Sequence, residues 1–182
     1  MKLWAVVALC CFAWSGAKAS VPAPPPEVQR ALPEVKLQGE ARMTFLGLRV
    51  YDARLWLPPQ ADVRQYDEAP LALALHYLRR LDGPAIAERS LTEMRRVGSF
   101  TDAQASAWLE AMKRAFPNVG DGDRLVGIHL PGRGARFYFN GQRTAEIEDA
   151  EFARLFFGIW LSPRTSEPRL RERLIGAAAG ER

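Results

Sequence analysis

Arg42 stands among apolar residues of strand-like period, in the run Gly39-Glu-Ala-Arg42-Met-Thr-Phe-Leu-Gly-Leu-Arg-Val-Tyr51-Asp-Ala-Arg-Leu-Trp56-Leu-Pro58. A guanidinium in such a place offers a planar fork that binds a carboxylate through two parallel hydrogen bonds or polarises a carbonyl. The plainer reading is an arginine facing solvent on a sheet edge, since arginines are mostly exposed, or one paired with a helix carboxylate. Tyr51 and Tyr77 each bring a phenol that could reach a cleft, or could end at the surface of a sheet. Glu93 could pair with Arg42 or act as a general base. Alternatively it lies on a solvated helix face with Arg89 and Arg96 as neighbours one turn away.

Other chemistries lack their parts. His76 and His129 are the only histidines and fall in different predicted strands with no clustered carboxylates, so a metal site is not expected. No serine stands in a nucleophile-elbow pattern. Gly132-Arg-Gly134 has no helix after it and reads as a turn, not a phosphate loop. No cofactor is implied.

These residues need elements to hold them. Val35–Leu37 predicts a short strand, and Ala41–Leu48 with Val50–Leu57 a hairpin around Gly47, stopped by Pro58-Pro59. Leu71–Leu78 alternates large and small residues. That puts Leu71, Leu73, Leu75 and Tyr77 on one face and Ala72, Ala74 and His76 on the other, where small side chains would leave space. The period then becomes helical. Asp82-Gly83-Pro84 opens a helix that carries Ile86, Ser90, Leu91, Met94 and Val97 and ends near Gly98. Thr101-Asp-Ala-Gln104 has the capping-box pattern and opens a second helix, ended by Pro117. Strands return over Arg124–Leu130, Ala135–Phe139 and Gln142–Ile147, with Asn140-Gly141 as a type I′ hairpin turn. Glu148-Asp149 caps an apolar helix of Phe152, Leu155, Phe156, Ile159 and Trp160, residues that belong to the core or to one wall of a cleft. Ser166 is expected to cap a last helix, Pro168–Ile175, or to offer a cleft hydroxyl. Strands in adjacent pairs separated by paired helices define an α+β domain with one antiparallel sheet and helices on one face.

The 182 residues carry 25 basic and 21 acidic side chains. Residues 1–19 read as a secretory signal, with Lys2, an apolar stretch Leu3–Trp14 and the cleavage pattern Ala17-Lys18-Ala19. The stretch is short for a membrane span, which needs roughly 20 apolar residues. Cleavage would remove Cys10, Cys11, Lys2 and Lys18, leaving 163 residues (182 less 19), a net charge of +2 and no thiol. Stability must then come from the core alone. Residues 20–34, with Pro22-Ala-Pro-Pro-Pro26, read as a proline-rich tether, residues 35–176 as the domain, and 177–182 as a frayed end. No basic run with interleaved aromatics is present, so nucleic acid is not an expected partner.

Taken in order, Arg42, Tyr51-Asp-Ala-Arg-Leu-Trp56, Tyr77, Asp82-Gly83, Glu93-Met94-Arg95-Arg96, Phe116-Pro117, Gly122-Asp123 and Phe156 with Ile159-Trp160-Leu161-Ser162-Pro163 resemble the chalcone isomerase-like family, above all its exported bacterial members. The resemblance covers about Val35 to Ile175. It implies an open-faced β-sandwich, a large antiparallel sheet with helices packed on one face. In catalytic members an arginine polarises a carbonyl and stabilises the developing enolate, helped by a water held by threonine and tyrosine. Arg42 matches that arginine. The threonine falls near Ala53, the tyrosine near Ile86 and a helix asparagine near Glu93, so the water-holding groups are missing. Other members bind fatty acids.

The resulting expectation is an exported, periplasmic protein, non-catalytic toward chalcones, that binds a small apolar carboxylate such as a fatty acid. Arg42 would be its anchor, with Tyr51, Tyr77, Ile86 and Glu93 around the ligand. The alternatives are an isomerase of the intramolecular lyase type that uses Arg42, and an adaptor of the cell envelope whose apolar surface meets a protein or the membrane.

Overall fold

The computed structural model describes residues 22–176. The expected signal segment, both cysteines and residues 177–182 lie outside them. Six strands, β1 (Lys36–Phe45), β2 (Leu48–Leu57), β3 (Leu71–Tyr77), β4 (Arg124–Leu130), β5 (Gly134–Phe139) and β6 (Gln142–Ile147), form one antiparallel sheet in chain order. The short strand expected at Val35–Leu37 is continuous with β1. Its pairing shifts between Leu37 and Gly39, where the backbone of a helix presses on the strand. A Cβ on Gly39 would sit 2.3 Å from the Arg173 carbonyl oxygen.

Four helices cover one face: α2 (Gly83–Val97), α3 (Asp102–Ala115), α4 (Ala150–Leu161) and α5 (Pro168–Leu174). Their limits follow local chemistry. The Thr101 hydroxyl accepts from the Gln104 N–H while the Gln104 side chain accepts from the Thr101 N–H, a complete capping box at α3. The Asp149 carboxylate accepts from the Phe152 N–H at 2.9 Å and starts α4. Ser166 does not cap α5. The Thr165 hydroxyl accepts there from the Glu167 N–H at 3.1 Å and donates to the Ile159 carbonyl at 2.7 Å, tying α5 to α4.

The alternation in β3 sets the core. Leu71, Leu73, Leu75 and Tyr77 point into the helix layer, against Phe137, Phe156 and Phe157. Fully burying one such side chain contributes about 1.5–3 kcal/mol. Phe156 stacks with Phe152 at a 5.5 Å centroid separation and meets Phe137 edge-on at 5.2 Å, so α4 docks through interlocked rings.

The opposite face does not have the open space expected beside Ala72 and Ala74. A short helix, α1 (Pro26–Ala31), lies over it, and Val28, Trp56, Ala72, Ala74, Val126 and Ile128 form a second small core. The segment read as a tether therefore folds in part. Proline at the first turn suits a helix, since its missing N–H would be unpaired there in any case. Glu27 on α1 is only 1% exposed and accepts from Arg124 at 2.8 Å.

Candidate functional site: an apolar cleft between sheet and helices

A cavity of about 350 Å³ lies between the sheet and the helix layer. Its size falls in the range of small-molecule sites, roughly 300–1,000 Å³. Leu73, Leu75, Leu125 and Phe137 form the sheet wall, and Phe156, Phe157, Ile159 and Trp160 of α4 form the wall across from it. α2 adds Ile86, Ser90 and Glu93. Met43, Phe45 and Val50 bring in the β1–β2 hairpin, while Arg79 and Arg89 supply positive charge. Gly127 belongs to the floor because a Cβ there would come within 3.3 Å of Phe137 and Phe157.

Four of the five residues singled out from the sequence, Tyr51, Tyr77, Ile86 and Glu93, line this cavity. Arg42 does not. It pairs in register with Asp52, which is itself opposite His76, which is opposite Arg124, forming a polar row across the sheet. Arg42 alternates with Ala41 and Met43, which pack on the helix-covered core, so the period-2 pleat carries its side chain to the other face. There Nε donates to Asp52 Oδ1 at 2.6 Å and Nη2 to Oδ2 at 2.8 Å. The fork expected to hold a ligand carboxylate is filled by a carboxylate of the protein. The hydrogen bonds from Arg42 hold the Asp52 carboxyl below its ordinary pKa.

The tyrosines are not surface-tipped. Tyr77 is 2% exposed, and its ring meets that of Tyr51 edge-on at 5.9 Å, the two being cross-strand partners. The Tyr51 hydroxyl accepts from Trp160 Nε1 at 3.0 Å, which fixes the indole over the cleft. Burial pushes the Tyr51 phenol up to about 12 and drives that of Tyr77 up as well. Both stay protonated at neutral pH. They can donate hydrogen bonds but are poorly suited to act as bases.

Glu93 is buried, not on a solvated helix face. Arg89 holds it at 2.7 Å and Arg96 at 3.4 Å. Two cations fix this carboxylate, as burial of a charge requires. Ser90 turns its hydroxyl back to the Ile86 carbonyl at 2.8 Å and leaves an apolar side toward the cleft. Ala53, where the resemblance places a threonine, is fully buried and has no hydroxyl. Ile86 presents aliphatic surface where a tyrosine would fall.

Sequence reading missed Arg79. The alternation Leu71, Leu73, Leu75, Tyr77 extended by one more step reaches it on the cleft face, and that step was the available signal. Among the described residues Arg79 has no ion-pair partner, unlike Arg42 and Arg89.

The antiparallel sheet and the helix layer thus enclose a cleft with mostly apolar walls. Residues 20–176 match the family model described as chalcone isomerase-like. The chain belongs to that family. A curated relative from Haemophilus influenzae, described as an uncharacterized protein, is 30% identical over 138 residues, 76% of this chain; the chain spans 66% of that relative's length. A crystal structure of a fatty-acid binding protein from Arabidopsis thaliana, AtFAP1, is similar with a TM-score of 0.61 at 12% identity. That likeness covers 80% of this chain and 89% of the plant one. It shows the shared fold, the open-faced antiparallel sheet with its helices.

Proposed function

We propose that the protein binds a small apolar carboxylate, most simply a fatty acid, in the cleft, with Arg79 as the anchor in place of Arg42. The observation that carries this reading is the combination of aromatic and aliphatic walls with an arginine free of ion pairing among the described residues. Ten buried methylenes would contribute about 8 kcal/mol before the costs of association. The carboxylate would meet the Arg79 guanidinium, with the protonated Tyr77 phenol as a further donor. Arg89 is less available because it already holds Glu93. The fold shared with a protein that its crystal structure describes as fatty-acid binding supports the same reading. The isomerase alternative is less favoured, since Glu93 is clamped by two arginines and both cleft phenols hold their protons.

Native mass spectrometry tests the proposal. The gently purified wild type should carry an adduct of fatty-acid mass, or take one up from a lipid extract. Ser90→Leu, which fills the cleft from α2, should lose it, and Arg79→Ala should hold it at least tenfold more weakly. Wild type and Ser90→Leu both empty after incubation with lipid would overturn it. The protein is further proposed to act after export, in the periplasm of a Gram-negative cell. A periplasmic fraction in which the chain begins at Ser20 is the expected result, and a cytoplasmic chain beginning at Met1 would contradict it.

A further inference from the structure

The β1–β2 hairpin turns through Leu46 and Gly47, with φ of 49° and 78°. Positive φ at both central residues is the type I′ pattern, which favours asparagine, aspartate or glycine. The other two-residue turn, Asn140-Gly141, obeys that preference with φ of 48° and 87°. Leucine at φ > 0 is an unusual and strained choice. This one is also 86% exposed, between Phe45 at 55% and Leu48 at 54%, and these three are the exposed large hydrophobic residues of the described chain. Backbone strain and apolar exposure coincide at one tip. A tip with an asparagine would be easier to fold and to keep in water.

Two further observations say what the tip meets. Phe45 is at once part of the tip and part of the cleft lining, so the tip stands at the cleft's mouth. Three arginines stand close to it, while Glu93 and Glu167 are the acids of the cleft lining. Arg49 follows Leu48, and the Leu78 N–H donates to the Val50 carbonyl at 2.9 Å, which brings Arg79 and Arg80 beside the tip end of the hairpin. Asp82, at the start of α2, is the only acid in the 79–82 run. Three apolar side chains are far too few for a stable protein interface, which takes roughly 800 Å² from each partner. They suit an interfacial anchor, in which a few apolar groups enter the headgroup region and arginines meet anionic lipid.

We propose that the β1–β2 hairpin tip inserts into the surface of an anionic bilayer, setting the mouth of the cleft against the lipid. Resting on the acyl-binding reading, this would let a chain pass between bilayer and cleft without crossing water. Docking needs no membrane-spanning element, and no described helix is long and apolar enough to be one.

The test is vesicle co-sedimentation of the chain from Ser20 onward, which contains all of the described fold, beside Leu46→Asn and the double variant Arg49→Glu/Arg80→Glu. Wild type should bind phosphatidylglycerol/phosphatidylethanolamine vesicles at least tenfold more tightly than phosphatidylcholine vesicles, and less tightly as salt is raised. Leu46→Asn should lose at least tenfold in vesicle binding while its melting temperature stays the same or rises, because asparagine relieves the turn. The arginine variant should lose the preference for anionic vesicles. Displacement of a fluorescent fatty acid in solution should be the same for wild type and Leu46→Asn. Failure of wild type to bind anionic vesicles, Leu46→Asn binding them as wild type does, or a tip-dependent dimer by light scattering in place of vesicle binding would each overturn the proposal. Vesicle binding that depends on Leu46, in a protein that displaces no fatty acid, would leave docking standing and sink the acyl-binding reading instead.

Discussion

Arg42 and Asp52 face each other across β1 and β2 with both guanidinium–carboxylate hydrogen bonds made, at 2.6 and 2.8 Å. The pair lies on the sheet face away from the cleft, and half of the Arg42 side chain is in solvent. Arg42→Ala should therefore change fatty-acid affinity less than twofold, whereas Arg79→Ala should weaken it tenfold or more. Displacement titrations on the two variants decide the matter, and a large loss in Arg42→Ala alone would restore Arg42 as the anchor.

The same pair has a pH signature. Asp52 is held below its ordinary pKa in the fold. The stability it contributes is fully present above about pH 4, the unfolded value, and is lost as pH falls through the lower folded value. Urea titrations at pH 7 and pH 3 should show a smaller acid loss for Arg42→Ala than for wild type.

The fold biases both histidines toward the neutral form. Burial lowers the pKa of His76, with Arg54 and Arg124 adding to the effect, and burial lowers that of His129 too. His129 lies 2.9 Å from the Ala69 carbonyl, which can only accept, so Nδ1 carries the proton. Groups with depressed folded pKa values stabilise fully above the unfolded value, near 6.5, and progressively less below it. The melting temperature should fall from pH 7.5 to pH 5.5, and less so in His129→Phe. A flat profile in wild type would count against neutral histidines.

Asp149 has two partners, the Phe152 N–H at one oxygen and Trp108 Nε1 at the other, both at 2.9 Å. Asp149→Ala removes a helix cap and orphans a part-buried indole N–H, together about 2–4 kcal/mol. Asp149→Asn should recover much of this, because an amide oxygen still caps. Chemical denaturation of both variants would show it.

Gly158 lets α4 approach α2. A Cβ there would lie 2.6 Å from Val97 and 2.8 Å from the Tyr66 hydroxyl. Gly158→Ala gains helix propensity, yet overpacking should win, with a net loss of about 1–3 kcal/mol. A raised melting temperature would mean that the two helices separate easily.

The elements were largely legible in the sequence, and their facing was legible only in part. The alternation of Leu71–Tyr77, the Asn140-Gly141 turn and the Thr101–Gln104 box are local signals, and each lies in the structure where local chemistry puts it. The position of Arg42 was not local. Its partner stands ten residues on across a hairpin, and only the pleat and register of β1 decide which side of the sheet the pair occupies. α1 was hidden for a related reason. Six residues carry too short a period to read, and the helix is held by Val28 against Trp56 and by Glu27 against Arg124, far away in the chain. The cleft wall supplied by α4 showed as apolar periodicity. The division of its aromatics between core and cleft depended on where α2 came to rest.

The sheet's order is the order of the chain, and this has a kinetic meaning. β1–β2 and β5–β6 close through two-residue turns, β4–β5 through residues 131–133 and β2–β3 through residues 58–70; β3–β4 must wait for the far longer segment 78–123 to come back. Early hairpins are fast local events, while closure of a long loop is slow. The excursion between β3 and β4 contains α2 and α3, so the late step that joins the two halves of the sheet also brings α2 over the cleft. The cleft would then be the last part to form, absent from the transition state. A ligand held there should slow unfolding and leave the folding rate almost unchanged.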